Sequence, residues 1–265
     1  MKQIKIQCPA KINLSLKVLN KREDGFHNIE SIMQTINLFD YLTIKLFDND
    51  ETEILLSGNN TEIPYNEKNL VYKAAKLFFN FTKIDNKKVD IYIDKNIPIS
   101  AGLAGGSTDA AGTLYGLNKL LDEPLTIEEL HKLCASLGSD LNVCLQGGRI
   151  LCKGRGEIIE PQEFEEFKLS LIKPINIGIS AKEAYTKFSA KKEKNTLGRD
   201  NFVNDLEWAI LDDYKELQYI KQTYPKAIMT GSGSTYYIID KTFNNEKAYW
   251  TTNNLKSINY GIKIC

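Results

Sequence analysis

The sequence carries no surplus of either charge: Lys plus Arg and Asp plus Glu each total 34, for a formal net charge of zero. No excess positive field draws the chain toward nucleic-acid phosphates, and a small-molecule partner is expected instead. Long apolar runs are missing as well. No stretch approaches the roughly 18 apolar residues of a membrane span, and Met1-Lys-Gln-Ile-Lys-Ile alternates polar and apolar without an apolar signal core. A soluble, cytoplasmic chain without a membrane partner is therefore expected. Imidazole is scarce, with only His27 and His131, and the five cysteines, Cys8, Cys134, Cys144, Cys152 and Cys265, contain no Cys-x-x-Cys pair. Zinc is not expected, and the cysteines read as mostly reduced core residues. Internal repeats, low-complexity tracts and long linkers are also absent. With 265 residues the chain can bury a sizeable core, as one large domain or as two of about 100 to 150 residues.

Glycine is concentrated where it matters. The stretch Asn96 to Leu121 sets Gly102, Gly105 and Gly106 beside Ser107 and Thr108, ahead of a segment from Asp109 in which Ala110, Leu114, Leu117 and Leu121 recur at helical spacing. A glycine-rich loop feeding a helix N-terminus favours an anionic phosphate, because the first N–H groups lack partners and the macrodipole adds positive charge. The glycines would let the backbone approach a phosphate and take positive φ where needed, while Ser107 and Thr108 would add hydroxyls. Two common phosphate motifs do not match: the Lys of a Walker A loop is missing, and Ala104 interrupts the Gly-x-Gly-x-x-Gly spacing. On the residues alone, phosphate binding and a simple helix-capping turn both remain open.

Elsewhere the pattern predicts alternating strand and helix. Residues 2 to 19 read as strand, with Ile12, Leu14 and Leu16 on one face and Lys11, Asn13 and Ser15 on the other, Lys11 being solvated on alternation alone. Lys21 to Gly25 is a turn. An apolar pattern then runs from Phe26-His27 through Leu38, with further strand over Tyr41 to Leu56. Asn69 caps an amphipathic helix that turns Val71, Ala74, Ala75 and Phe78 inward, and Val89 to Asp94 forms a strand ending at Lys95. A capping box, Thr126-Ile-Glu-Glu129, opens a helix ending near Leu137, with Gly138 just past its end. Ser139-Asp140 follows, where an Asp serves equally as cap or as catalytic acid. Gly147-Gly148 begins a hairpin into Lys153-Gly-Arg-Gly-Glu157, and Phe167 to Ile179 reads as strand. Ser180 to Glu183 is a second capping box, leading a helix that carries Tyr185. Lys187 to Thr196 is expected as a charged loop, Asn201 to Tyr224 as mostly helix, Met229 to Thr235 as a glycine turn between strands, and Glu246 to Ile264 as a helix and strand.

Pro98-x-x-x-Gly102-Leu103-Ala104-Gly105-Gly106-Ser107 resembles the phosphate loop of the GHMP kinases, the superfamily of galactose, homoserine, mevalonate and phosphomevalonate kinases. Four further segments resemble its motifs in order: Pro9 to Leu16 around Lys11, Gly25 to Gln34 around His27, Leu137 to Asp140, and Met229 to Thr235. Phe26 stands where the family has Tyr, and Asn142 and Val143 stand where it has Pro and Phe. Within the superfamily the chain is most similar to the branch acting on a cytidine diphosphate-linked methylerythritol in non-mevalonate isoprenoid synthesis.

That resemblance implies an α+β, two-domain GHMP kinase fold, with a ribosomal protein S5 domain 2-like N-terminal half over 1–157 and a ferredoxin-like C-terminal half over 158–265. It implies a site in the cleft between them and ATP-dependent phosphorylation of the substrate 2-hydroxyl. Asp140 would accept the hydroxyl proton and Lys11 would orient it. ATP would lie over Gly102, Leu103, Ala104, Gly105, Gly106, Ser107 and Thr108, with Asn69, Lys95 and Pro98 nearby, and Mg²⁺ would bridge phosphate oxygens. Asn13, Phe26, His27 and Tyr185 would hold the cytidine diphosphate substrate, with the cytosine between Phe26 and Tyr185. The protein would work as a monomer or weak homodimer. Two rivals remain at this stage: a sibling kinase for homoserine or a mevalonate, which needs no cytosine site, and a non-catalytic relative, which would have lost Lys11 or Asp140.

Overall fold

The computed structural model describes residues 1–194 and 197–265. Its first layer is an eight-stranded sheet built on two long strands, β1 (Lys2–Asn13) and β3 (His27–Asp48), paired antiparallel with an irregularity at Pro9/Ala10. Between them β2 (Lys17–Lys21) folds back on β3. β4 (Glu53–Gly58), α1 (Leu70–Thr82) and β5 (Lys87–Asp94) follow, with β4 and β5 parallel. Helices α2 (Gly105–Leu120), α3 (Ile127–Leu137) and α4 (Leu141–Gln146) cover one face. β6 (Arg149–Lys153) and β7 (Ile158–Pro161) then extend the sheet from the far end of β3.

The apolar stripes read from sequence drive this layer together. Val71, Ala74, Ala75 and Phe78 of α1, and Ala110, Leu114 and Leu117 of α2, are buried against Ile6, Leu42, Ile44, Val89, Ile91 and Ile93 of the strands. Thr126 and Glu129 form the expected reciprocal capping box. Gly138 is extended, with φ 174°, so the end of α3 does not depend on a left-handed glycine.

The second layer is a four-stranded antiparallel sheet in the order β11-β8-β10-β9. Its strands are β8 (Lys168–Pro174), β9 (Ile228–Met229), β10 (Tyr236–Ile239) and β11 (Tyr249–Lys256). It packs under α5 (Ala181–Lys194), α6 (Asp205–Ile210) and α7 (Lys215–Thr223). Three expectations are corrected here. The segment from Lys187 to Lys194 continues α5 rather than forming a loop, helped by an i,i+4 pair of Glu183 with Lys187; the last two positions of that expected loop, 195–196, lie outside the described residues. Only half of the Ser180 box forms: Ser180 Oγ accepts the Glu183 N–H, but the Glu183 carboxylate accepts from the Tyr214 hydroxyl instead. No helix follows Glu246; Tyr249 to Lys256, rich in aromatic and β-branched residues, joins β8 as a strand.

The layers interlock. β7 carries the first sheet past the expected division at residue 157, and β12 (Lys263–Ile264) returns to pair with β1. From β2, Val18 donates its N–H to Asp205 Oδ2 (2.7 Å), and Leu16 and Val18 pack in the core of the second layer. Among the described residues no helix is long and apolar enough to cross a membrane.

Candidate active site

A cleft of about 1000 Å³ runs between the layers. β1 delivers Lys11 to its floor, and alternation misjudged this side chain: it is only 2% exposed. The second layer covers the face that a lone sheet would leave to water. Lys11 Nζ donates to Asn13 Oδ1 (2.8 Å) and to the Gly102 carbonyl (3.2 Å), and its third neighbour is Asp140 Oδ2 at 3.4 Å. Asn13, also buried, donates from Nδ2 to Ser31 Oγ (2.8 Å) and from its backbone to Thr230 Oγ1 (2.9 Å). Asn13, itself held by Ser31 and Thr230, thus fixes one of the three partners of the Lys11 ammonium.

Asp140 sits at the N-terminal boundary of α4 but makes no side-chain cap hydrogen bond. Its carboxylate, partly exposed to the cleft, is left to Lys11. Asn142 and Val143 do other work. Asn142 Nδ2 donates to the Glu157 carbonyl (2.9 Å), and Val143 packs with Met33, Ile150 and Cys152.

The glycine loop ends in α2 earlier than the apolar spacing predicted. Gly105 and Gly106 already belong to the helix's first turn, so the left-handed conformations fall on Ser100, Gly102 and Ala104 (φ 50°, 74° and 60°). A Cβ at Gly106 would meet nothing within 4 Å, which leaves open space over the free N–H groups. Pro98, Gly102, Leu103, Ala104, Gly105, Gly106 and Ser107 all line the cleft, but Thr108 does not. Thr108 is fully buried, one turn into the helix, and supplies no hydroxyl to the cavity. Asn69 borders the cleft while capping α1 through Oδ1 to the Val71 N–H. Lys95 also lines it, yet its ammonium is taken by two carboxylates, Asp40 and Asp109.

At the far end of the cleft lie Phe26, His27 and Tyr185. Tyr185 stacks on His27, with centroids 5.3 Å apart and planes 17° apart, rather than facing Phe26. His27 Nε2 is 3.1 Å from Ser189 Oγ. Burial, with Lys21 and Lys192 adding to it, lowers the His27 pKa below its usual value, and burial raises that of the Tyr185 phenol. Both rings are therefore neutral at pH 7. Phe26 is half exposed, with the Arg155 guanidinium 5.1 Å from its centroid.

Sequence reasoning missed Arg155, Asp109, Ser139, Lys21 and Lys182, all of which line the cleft. Arg155 lay in a segment already singled out, between Gly154 and Gly156, whose φ values of 69° and 117° present it on a tight turn. Asp109 shares the inward face of α2 with Gly112 and Gly116, and an acid on such a face was the available signal.

Among the described residues two acidic side chains line this cleft, Asp109 and Asp140, and Lys95 engages the first. Among the described residues no group of three His, Cys, Asp or Glu side chains could cage a metal ion. A Mg²⁺ held chiefly by substrate phosphates and water, with a single protein carboxylate, fits such a site; a protein-caged ion does not.

The family model for the GHMP kinases N terminal domain matches residues 69–148. A 4-diphosphocytidyl-2-C-methyl-D-erythritol kinase of Clostridium tetani (strain Massachusetts / E88) is 41% identical over 256 residues, spanning 88% of this chain and 90% of the relative. One of the same name from Prochlorococcus marinus (strain NATL2A) is 44% identical over 223 residues, 79% of this chain and 69% of the relative. Among solved structures, a 4-(cytidine 5'-diphospho)-2C-methyl-D-erythritol kinase superposes with a TM-score of 0.71 at 26% identity, covering 88% of this chain and 89% of that one. A homoserine kinase from Cytophaga hutchinsonii shares the fold with a TM-score of 0.72 at 15% identity, over 100% and 98% of the two chains. With its five motifs meeting in one cleft of an α+β, two-domain GHMP kinase fold, the chain belongs to the 4-diphosphocytidyl-2-C-methyl-D-erythritol kinase family.

Proposed function

We propose that the chain transfers the γ-phosphoryl group of ATP to the 2-hydroxyl of 4-diphosphocytidyl-2-C-methyl-D-erythritol. The observation that carries this reading is the pair at the cleft floor: Lys11 Nζ, 3.4 Å from Asp140 Oδ2 and hydrogen-bonded to the Gly102 carbonyl, joins the partly exposed acid of the cleft to the phosphate loop.

Phosphoryl transfer asks a protein mainly for positioning and charge stabilisation. The first N–H groups of α2 and the open space at Gly106 suit the ATP phosphates. Asp140 accepts the proton of the substrate hydroxyl as its oxygen bonds to phosphorus and ADP departs. Lys11 aims that carboxylate and offsets charge on the transferred group. A Mg²⁺ would be held by phosphate oxygens and water, with Asp140 the protein carboxylate available to it, and would supply charge neutralisation there. Phe26, His27 and Tyr185 take the cytosine, with Asn13 fixing the floor beneath the substrate. Because Tyr185 lies on His27 here, the base enters by displacing that stack or by covering the ring faces it leaves open. In this reading residues 1–157, with β7 and β12 added to their sheet, act as the ATP-binding domain and the rest of 158–265 as the second domain, working as a monomer or weak homodimer in the cytoplasm. The test is ADP release measured with the cytidine substrate beside homoserine, mevalonate and galactose. Turnover with the cytidine substrate is expected, and faster turnover with homoserine or mevalonate would overturn the substrate assignment while leaving the kinase reading standing.

A further inference from the structure

Beneath the phosphate loop lies a buried charge cluster that the proposed chemistry does not use. Asp40, on β3, is fully enclosed; its Oδ1 accepts the N–H groups of Asn96 (2.6 Å) and Ile97 (2.7 Å), and its Oδ2 accepts from Lys95 Nζ. Lys95 Nζ also donates to Asp109 Oδ2, 3.0 Å away in the second turn of α2. The ammonium lies so close to the helix that a Cβ at Gly105 would stand 2.6 Å from it. Lys95 and Asp109 both reach the cleft wall, yet Asp109 Oδ1 is buried without a hydrogen-bond partner among the described residues.

These contacts join the three segments that bracket the loop: the edge of β3, the chain entering the loop at Asn96-Ile97, and the first turns of α2. A cation between two acids inside the protein leaves one negative charge over if both acids ionise, and such a charge is costly to bury. The unpartnered oxygen sits below helix N–H groups suited to phosphate, where a further negative charge would repel a bound nucleotide.

We propose that Asp40, Lys95 and Asp109 form a positioning clamp for the phosphate loop, and that loss of the Asp109 proton weakens nucleotide binding. The proposal rests on the kinase reading, because it takes the loop's ligand to be a nucleotide. The groups facing Asp109 are Lys95 after β5, Asp40 from β3 and Cys8 from β1. Burial is the main influence and pushes Asp109 up to about 8; Lys95 opposes it and Asp40 adds to it. Burial likewise holds the Cys8 thiol protonated, well above the usual thiol range. Asp109 is thus neutral at pH 7 and becomes an anion through pH 8, beside the site of the phosphates.

The experiment is calorimetric titration of the full chain with ATP at fixed free Mg²⁺ from pH 6.5 to 9.5. The expected result is a dissociation constant that rises about tenfold, which corresponds to a one-unit shift of the Asp109 titration on binding, with the rise setting in near pH 8 and levelling off about one unit higher. Asp109→Asn, nearly isosteric and never charged, is expected to abolish the step. Asp40→Asn keeps an acceptor for the loop N–H groups but removes the charge that raises Asp109, so it is expected to move the midpoint downward. A clamp that only held the loop in place would alter affinity in these variants without touching the pH profile. Binding with a flat profile in the unaltered protein, or an unchanged step in Asp109→Asn, overturns the proposal alone. Should Asp109→Asn fail to fold, an unmoved midpoint in Asp40→Asn overturns it equally. Absence of ATP binding at every pH overturns it together with the kinase reading.

Discussion

Two glycines only a few residues apart in the loop are expected to fail in opposite ways when given a side chain. Gly102 has φ 74°, and a Cβ there would press into the Thr230 carbonyl oxygen and stand 3.1 Å from the Gly233 nitrogen, both backbone atoms of the facing glycine turn. Gly102→Ala therefore combines a left-handed penalty of about 1–2 kcal/mol with overpacking of about 1–3 kcal/mol. At about 2–4 °C per kcal/mol for a chain of this size, the melting temperature is expected to drop by about 4–20 °C. Gly106 faces open space in a helical turn, so Gly106→Val should change folding stability by no more than about 1 kcal/mol. Its isopropyl group fills the space assigned to phosphate, and a clash of about 1–3 kcal/mol there weakens ATP binding about 5- to 150-fold. Urea unfolding and calorimetric ATP titration of both variants would read the two effects separately. A folded Gly106→Val protein that binds ATP as tightly as the parent would refute the reasoning, because the phosphates would then lie elsewhere.

Asp140→Asn should retain ATP affinity and lose about 10² to 10⁴ in kcat; single-turnover phosphoryl transfer within threefold of the parent would remove Asp140 from the chemistry. Tyr185→Ala should raise KM for the cytidine substrate about tenfold, as stacking worth roughly 1–3 kcal/mol per base implies, with KM for ATP little changed, and steady-state kinetics against each substrate would check it. Asp109 holds its proton up to about 8 in the fold against an ordinary 3.8, so the native state binds the extra proton between those values. Its contribution should make stability decline as the pH rises through that window, and a smaller decline for Asp109→Asn in denaturant melts would be the sign of it; identical slopes in the two proteins would contradict the assignment.

Much of this architecture was legible in the sequence because single elements carry their own signals. The stripe of α1 and the capping box of α3 depend on neighbours in sequence and formed where expected, while the glycine loop did lead into α2 but gave way to helix already at Gly105. Misreadings arose where a distant partner decides. Lys11 looked solvated because its strand alternates, and it is buried because the turn carrying Thr230 closes over it. The charges from Lys187 onward suggested a loop, although on a helix they find Glu183, Asp212 and Asp213. Likewise Tyr185 of α5 meets His27 of β3 across the two layers, which are also tied by Val18 and Asp205. Nothing local to either ring announces that contact.

The return of β12 to β1 bears on how the molecule comes together. Ile264 pairs with Ile6, and all of the second layer lies between them in sequence. Pairings of such long separation carry a large loop-closure entropy and slow folding. Until β12 docks, Ile6 and Gln7 of β1 keep their outer edge unpaired, an open template for another chain. That short stretch of edge is therefore closed only after the whole second layer has been made.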